Sequence, residues 1–263
     1  MRQAWRMFSS GARASWIAYL VEIPPAAFLG MRIPRILLQS LFFVLLAKAA
    51  GGEALARFAL IGNAVQIAVF VAIASMDEVI EMEKWNDTFL YLIAAPADWL
   101  PVMLGKSVAF YGDAAFASTI TFAVLSAVLH IPLPLIDLLR AAPVILLIFA
   151  AACALGWFIG AFAMPIRYGY MMCNWTGYAM IIFCGINVPL SGLPPAVQFI
   201  GSLLPVTHGL LAVRALIDGA SYASVLPLIA KELLVLLVYA AAAALTFGKR
   251  LRTTRQRGTF TQV

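Results

Sequence analysis

Between Arg167 and Arg214 the chain runs for 46 residues without one Asp, Glu, Lys or Arg. Such a stretch belongs in hydrocarbon, where about 20 consecutive apolar residues cross a bilayer as a helix. The run has room for two crossings, yet it also holds Pro189, Pro194, Pro195 and Pro205 with Gly192, Gly201 and Gly209. Proline removes a backbone donor and clashes with the preceding turn, so these residues break a helix. Charge decides between one crossing and two. Arg2, Arg6 and Arg13 open the chain, and Lys249, Arg250, Arg252, Arg255 and Arg257 close it. The positive-inside rule puts both clusters in the cytoplasm and so requires an even number of spans. The run is therefore expected to hold one full span, Tyr170 to Val188, and then a re-entrant helical hairpin over 189–218.

The remaining spans are expected at Met31 to Ala50, Phe58 to Met76, Leu100 to Leu129, Ala142 to Met164 and Val225 to Phe247. The resulting fold class is all-α integral membrane with six transmembrane helices, and 13 of the 18 Lys and Arg side chains lie on the cytoplasmic side. Composition agrees: 11% of residues are charged, against about 25% in soluble domains. No length remains for a soluble catalytic domain.

Residues 1–30 open with Trp5, Phe8, Ala12, Trp16 and Tyr19 at helical spacing and Arg2, Arg6 and Arg13 on a neighbouring face. That pattern predicts a helix lying in the membrane interface rather than a cleaved signal peptide. Cys153, Cys173 and Cys184 fall in apolar runs without a CxxC, which suits packing. His130 and His208 have no Cys or carboxylate at ligand spacing, so no metal site is expected. The basic residues form no single stripe, which argues against nucleic acid as a partner.

Half of the acids, namely Asp77, Glu78, Glu81, Glu83, Asp87 and Asp98, fall in the insert between the second and third spans. Val79, Ile80, Met82 and Trp85 give it one apolar helical side. Asn86 or Asp87 can cap a second short helix bearing Phe89, Leu92 and Ile93, which Pro96 stops. An insert that floats on the membrane with solvated acids is the plain alternative. A docking surface for a separate motor explains more, because it connects directly to two spans.

The order of these features resembles the transmembrane subunit of ABC-2-type exporters. After its acidic helix that family has a Gly-Thr-Leu-Glu-like turn, a Ser-Pro or Thr-Pro, and a Gly-Lys opening the third span. Here Glu81-Met82-Glu83-Lys84, Asp87-Thr88-Phe89-Leu90, Ala95-Pro96 and Gly105-Lys106 stand in those places, with Asp87 where the family has Gly. Before the last span, Pro189-Leu190, Leu193-Pro194, Pro205-Val206-Thr207-His208 and Arg214 follow the family's second pattern.

The resemblance implies a permease without its own ATPase, in a bacterial cytoplasmic membrane. A second permease copy or a homologous permease would pair with it, and cytoplasmic ATP-binding-cassette subunits would carry ATP and Mg. No cofactor is expected on this chain. The resemblance also implies that Glu81, Glu83, Trp85, Asp87, Thr88, Phe89 and Pro96 couple to the ATPase over 77–99. Pro189, Leu193, Pro194, Pro205 and Arg214 would form an outer gate, and 249–263 a basic cytoplasmic tail.

Other polar residues are open to more than one reading. Gly105-Lys106-Ser107 resembles the end of a phosphate-binding loop, but Leu100 stands where that motif needs glycine. Asp113 lies inside the third span and needs a partner or water. Pairing, an entrance path and proton transfer are all open to it. Lys231 and Glu232 present the same choice. Asn63, Gln66, Asn174, Tyr178 and Asn187 either cement helix contacts or face substrate. The Asn-x-Thr triplets at Asn86 and Asn174 lie in the cytoplasm and the membrane in this topology, which excludes glycosylation.

The leading expectation is an exporter of an amphiphilic drug, antibiotic, natural product or lipid-linked molecule. A glycan exporter of the same architecture and a proton-coupled carrier using Asp113 and Glu232 are the alternatives. A lipid-modifying enzyme would need an acid cluster within the bilayer, which this sequence does not have.

Overall fold

The computed structural model describes residues 2–22, 24, 26, 28–85, 91, 99–164 and 169–257, all statements below refer to these, and its elements are helical. Helix α1, Arg2–Glu22, is followed by a π-helical turn at Phe28–Arg32 and one long run, Ile33–Trp85. Gly51 and Gly52 interrupt that run, and the φ of 70° at Gly52 is one that residues with a Cβ avoid. They divide it into α2, residues 33–50, and α3, residues 53–85. Next come α4, Trp99–Leu129, α5, Leu135–Ala163, and α6, Gly169–Phe183. A 3₁₀ turn at Leu190–Gly192 leads into α7, Pro195–Leu203, and α8, Thr207–Ile217. Helix α9, Tyr222–Arg257, closes the described chain.

Length and composition qualify four helices as membrane spans, or five if the bent pair α7–α8 counts as one. Six were expected, and two elements account for the difference. The first qualifying helix is 57 residues long, about twice what one crossing needs, and the Gly51–Gly52 break divides it. Helix α6 has only 15 residues, which at about 1.5 Å per residue is roughly 22 Å against a hydrocarbon core of about 30 Å. The expected span to Val188 ends early because Gly185 turns into the left-handed region, φ 69°. Helix α5 begins at Leu135, earlier than the expected Ala142, and accommodates Pro143 in its third turn.

Helix α3 is the axis of the bundle. Leu60, Ala64, Ala68, Ala72 and Met76 on it are fully buried. Gly156 on α5 lies so close to α3 that a Cβ there would sit 2.8 Å from the Ile73 carbonyl oxygen. Small residues at such crossings let helix backbones approach where no water drives them together. Helix α1 lies across the start of α4 by the same device: a Cβ on Gly105 would meet the Phe8 carbonyl oxygen at 2.2 Å, and one on Gly11 would meet that of Val102 at 2.6 Å. The Ser15 hydroxyl donates to the Lys106 carbonyl at 2.5 Å beside this crossing. Gly105-Lys106-Ser107 is thus part of a helix crossing. Cys153, Cys173 and Cys184 are buried free thiols.

Candidate functional site

The two ends of α3 carry different polar clusters. At the end near α1, Glu83 pairs with Lys106 of α4. Lys84 pairs with Glu81 at 3.1 Å and donates to the Met164 carbonyl, at the end of α5, at 2.7 Å. The chain between α3 and α4 therefore leaves and re-enters beside a cross-link between the two helices. Asp87, Thr88, Phe89 and Pro96 lie outside the described residues, and Trp85 is the last residue of α3. Deeper in the bundle, Asp113 pairs with Arg32, and its side chain is 2% exposed. Arg32 closes the π-helical turn that leads into α2. Glu53 forms its pair elsewhere, with Lys48 across the glycine break, at 2.6 Å.

The opposite end holds the broken segment that follows α6. Helix α6 stops with carbonyl groups that no further turn satisfies. Arg214 of α8 donates to two carbonyls just past it, Gly185 at 2.9 Å and Ile186 at 2.8 Å, and to Phe58 of α3 at 3.1 Å. The Phe58 ring stacks on its guanidinium, 3.3 Å from the ring centroid. Arg214 is buried, and a cation is favourable at the carbonyl end of a helix. Gly62 makes room: a Cβ there would lie 2.2 Å from the Ile186 carbonyl oxygen and 2.7 Å from an Arg214 nitrogen. Asn63, one residue on, donates to Asn187 at 2.6 Å.

The bend between α7 and α8 is 94°. A break at membrane depth must find partners for its backbone groups within the protein, and here side chains supply them. The Glu232 carboxylate of α9 accepts from the backbone N–H of Val206 and from that of Gly209, each at 2.8 Å. Glu232 is fully buried. No ion pair to it is found among the described residues; its charge faces the N-terminal end of α8, where an anion is favoured. Two helical turns further along α9, the Tyr239 hydroxyl donates to the Leu203 carbonyl at 3.2 Å. The Thr207 hydroxyl takes the Gly201 carbonyl at 2.6 Å, a His208 ring nitrogen meets that of Ser202 at 3.1 Å, and the Cys184 thiol reaches that of Pro205 at 3.7 Å.

A family model described as ABC-2 type transporter matches residues 8–217, well over half of the chain. The chain belongs to that family. None of the curated proteins compared with it matches. As an ABC-2 membrane protein it is a permease component of an ABC transporter and is not itself catalytic. Its apolar helices and its family make it a multi-pass membrane protein, and the family implies partnership with an ABC ATPase.

Among the permease's expected site residues, Pro189, Leu193, Pro194 and Pro205 lie in the turns on either side of α7, and Arg214 lies on α8. Pro189 and Pro194 stand immediately before the 3₁₀ turn and α7. The expected path residues divide into three groups. Asn63, Gln66 and Asn187 lie where α3 meets α6 and the chain beyond it, with the Gln66 amide donating to the Gly177 carbonyl at 3.0 Å. Gln66 Oε1 is buried and has no hydrogen-bond partner among the described residues. Asn174 donates to Tyr170 within α6, and Tyr178 is 56% exposed on that helix. Asp113 is apart from both groups. Arg32, Tyr239 and Cys184 were missed as partners, and among the roles open to Glu232 the backbone N–H groups of Val206 and Gly209 were not foreseen. The available signal was pairwise: a lone acid in an apolar helix needs donors, and a proline break in the membrane has donors to offer.

An apolar cavity of about 490 Å³ opens between α4, α5 and α9, lined by Met103, Ser107, Tyr111, Trp157, Ala243 and Phe247 among others. Both of these hydroxyls are engaged: Ser107 donates to Met103 and accepts from Trp157, and Tyr111 donates to Leu146.

Proposed function

We propose that this permease is the membrane-spanning subunit of an ATP-driven exporter. It moves an amphiphilic drug, natural product or lipid-linked molecule out of the cytoplasm or inner leaflet. Two such permeases, identical or homologous, work with two cytoplasmic ATPase subunits that bind ATP and Mg, in a bacterial inner membrane with both termini inside. Six spans follow if the Gly51–Gly52 break turns the chain between two crossings and α6 with its extension makes the fifth.

The observation that carries this reading is the cross-link at the root of the 77–99 segment. Glu83–Lys106 joins α3 to α4, and Lys84 joins α3 to the end of α5. A push on a loop that hangs from braced helices moves the helices; the same push on a loose loop is lost in the loop. Glu81, Glu83, Trp85, Asp87, Thr88, Phe89 and Pro96 are the proposed contact with the motor. Exposed side chains along α6, Met171, Trp175, Tyr178 and Ile182, suit a second permease or the apolar part of cargo, with Asn63, Gln66, Asn174 and Asn187 nearby as polar path residues. The apolar cavity favours an amphiphile over a glycan. The carrier alternative gains nothing from the geometry, because Asp113 bonds to Arg32 and Glu232 to backbone N–H groups.

The test is export by the reconstituted complex carrying Trp85→Ala with Phe89→Ala. ATP hydrolysis should continue while export stops. Unchanged export by this variant, or a chain that purifies without any P-loop ATPase, overturns the proposal.

A further inference from the structure

Helices α7 and α8 are held in different ways. Helix α8 is gripped at three points by charged groups: Glu232 of α9 at its start, its own Arg214 against α3 and the carbonyls after α6, and Asp218 at its end, which pairs with Arg57 at 2.8 Å. Eight of its eleven residues are buried. Of the nine residues of α7 only Gly201 is buried, and Phe199 is 66% exposed. The bonds that hold α7 to the rest of the bundle are neutral and cluster at its last turn, on the carbonyls of Gly201, Ser202 and Leu203. Among the described residues the bonds at its first turns are local, from the Gln198 side chain to Leu193 and from the Val197 and Gln198 backbone N–H groups to Pro194.

The joint between the two helices is strained. Val206 has φ 93° and ψ −45°, a region that a β-branched residue enters only when its surroundings force it there. The forcing contact is the bond from the Val206 N–H to Glu232. Glu232 and Tyr239 lie seven residues apart on one face of α9 and bond to opposite sides of the joint. Both lie beyond the residues matched by the family model.

We propose that Glu232, assisted by Tyr239, is a positioning residue for transport: the last span sets the angle of α7 on a stationary α8, and α7 pivots at 204–206 as the mouth at this end opens and closes. This rests on the exporter reading above. Glu232 touches no cargo. It acts through Val206, keeping the strained joint in one conformation so that movement of α9 becomes movement of α7.

The test uses the full complex in lipid, with spin labels on Phe199→Cys in α7 and Ser221→Cys beyond α8. The three native thiols are buried. With Glu232 present the distance distribution without nucleotide should be narrow. Glu232→Gln places an amide N–H against one of the two backbone donors and should broaden it, while the grips at Arg214 and Asp218 keep α8 folded. Cargo moved per ATP hydrolysed should fall by about tenfold, within the usual span of coupling between two sites.

A purely stabilising role would lower the unfolding midpoint and leave the distance distribution narrow, which overturns the proposal. If Glu232→Gln does not insert, Tyr239→Phe loses only the hydroxyl on Leu203 and should broaden the same distance to a lesser degree; an unchanged distance there overturns it as well. The distance is read without ATP. Failure of ATP-driven export in the parent complex therefore counts against the exporter reading alone.

Discussion

The two ends of α3 solve the same problem with opposite means. Near α1, charged side chains meet each other: Asp113 with Arg32, Glu83 with Lys106, Glu81 with Lys84. Near α8, the buried charges meet backbone: Arg214 binds three carbonyls and Glu232 two N–H groups. The difference follows from where the helices break. A continuous helix leaves its interior backbone satisfied, so Asp113 bonds to Arg32 and Glu83 to Lys106, and Lys84 meets a backbone carbonyl only where α5 ends. The breaks after α6 and before α8 leave carbonyls and N–H groups unpaired, and a cation and an anion match them in turn. An ion pair can be exchanged for another pair; a charge fitted to a helix end cannot.

Exchange experiments break or sharpen that contrast. The largest effect is expected at Arg214. Arg214→Ala leaves the buried Gly185 and Ile186 carbonyls without this donor and should cost about 4 kcal/mol, at roughly 1–3 kcal/mol for each buried acceptor left unmet. Arg214→Lys should recover little of it, because one ammonium cannot reproduce the guanidinium fork. The midpoint of unfolding in lipid micelles checks both. Recovery by Lys would mean that charge alone holds the α8 end.

Asp113→Leu should come next, at about 3 kcal/mol, because it strands Arg32. Here the double variant with Arg32→Leu should regain most of the loss, since apolar replacement of a whole buried pair is often neutral. A double variant no better than the single one would show that Asp113 has a further partner.

Gly105→Val tests the crossing of α1 and α4 and should cost about 1–3 kcal/mol through overpacking. Because α1 is peripheral, the loss should appear as faster trypsin cleavage at Arg13 ahead of global unfolding. Ser15→Ala, which removes one neutral bond to the Lys106 carbonyl, should be smallest, about 0.6 kcal/mol by the average for bonds between membrane helices. A larger loss would place the strength of the α1 end in hydrogen bonds rather than in close packing.

Much of this architecture is written along the chain. Apolar run length and charge placement set the helical membrane class, the helix at the N-terminus and the starts of α4 and α9. Prolines and glycines mark the broken segment before the last span, and the order of motifs points to the family that the comparison then shows. These features are legible because each depends on neighbours in sequence: a run of hydrocarbon, a missing N–H, a helical period.

What the sequence could not decide are pairings between distant positions, because energy at these sites depends on a partner rather than on a residue type. Asp113 had three open roles until the fold brought Arg32 beside it, 81 positions away. The reading of Gly105-Lys106-Ser107 turned on Gly11 and Phe8 across a helix crossing. The end of α6 was misjudged because its run of apolar residues continues while its helix does not, and the carbonyls released there are taken by Arg214 from 28 residues further on. Glu232 is the clearest case. In sequence it is an acid beside a lysine in an apolar helix; only the folded chain brings it to the two N–H groups, 26 and 23 positions earlier, that give its charge a place.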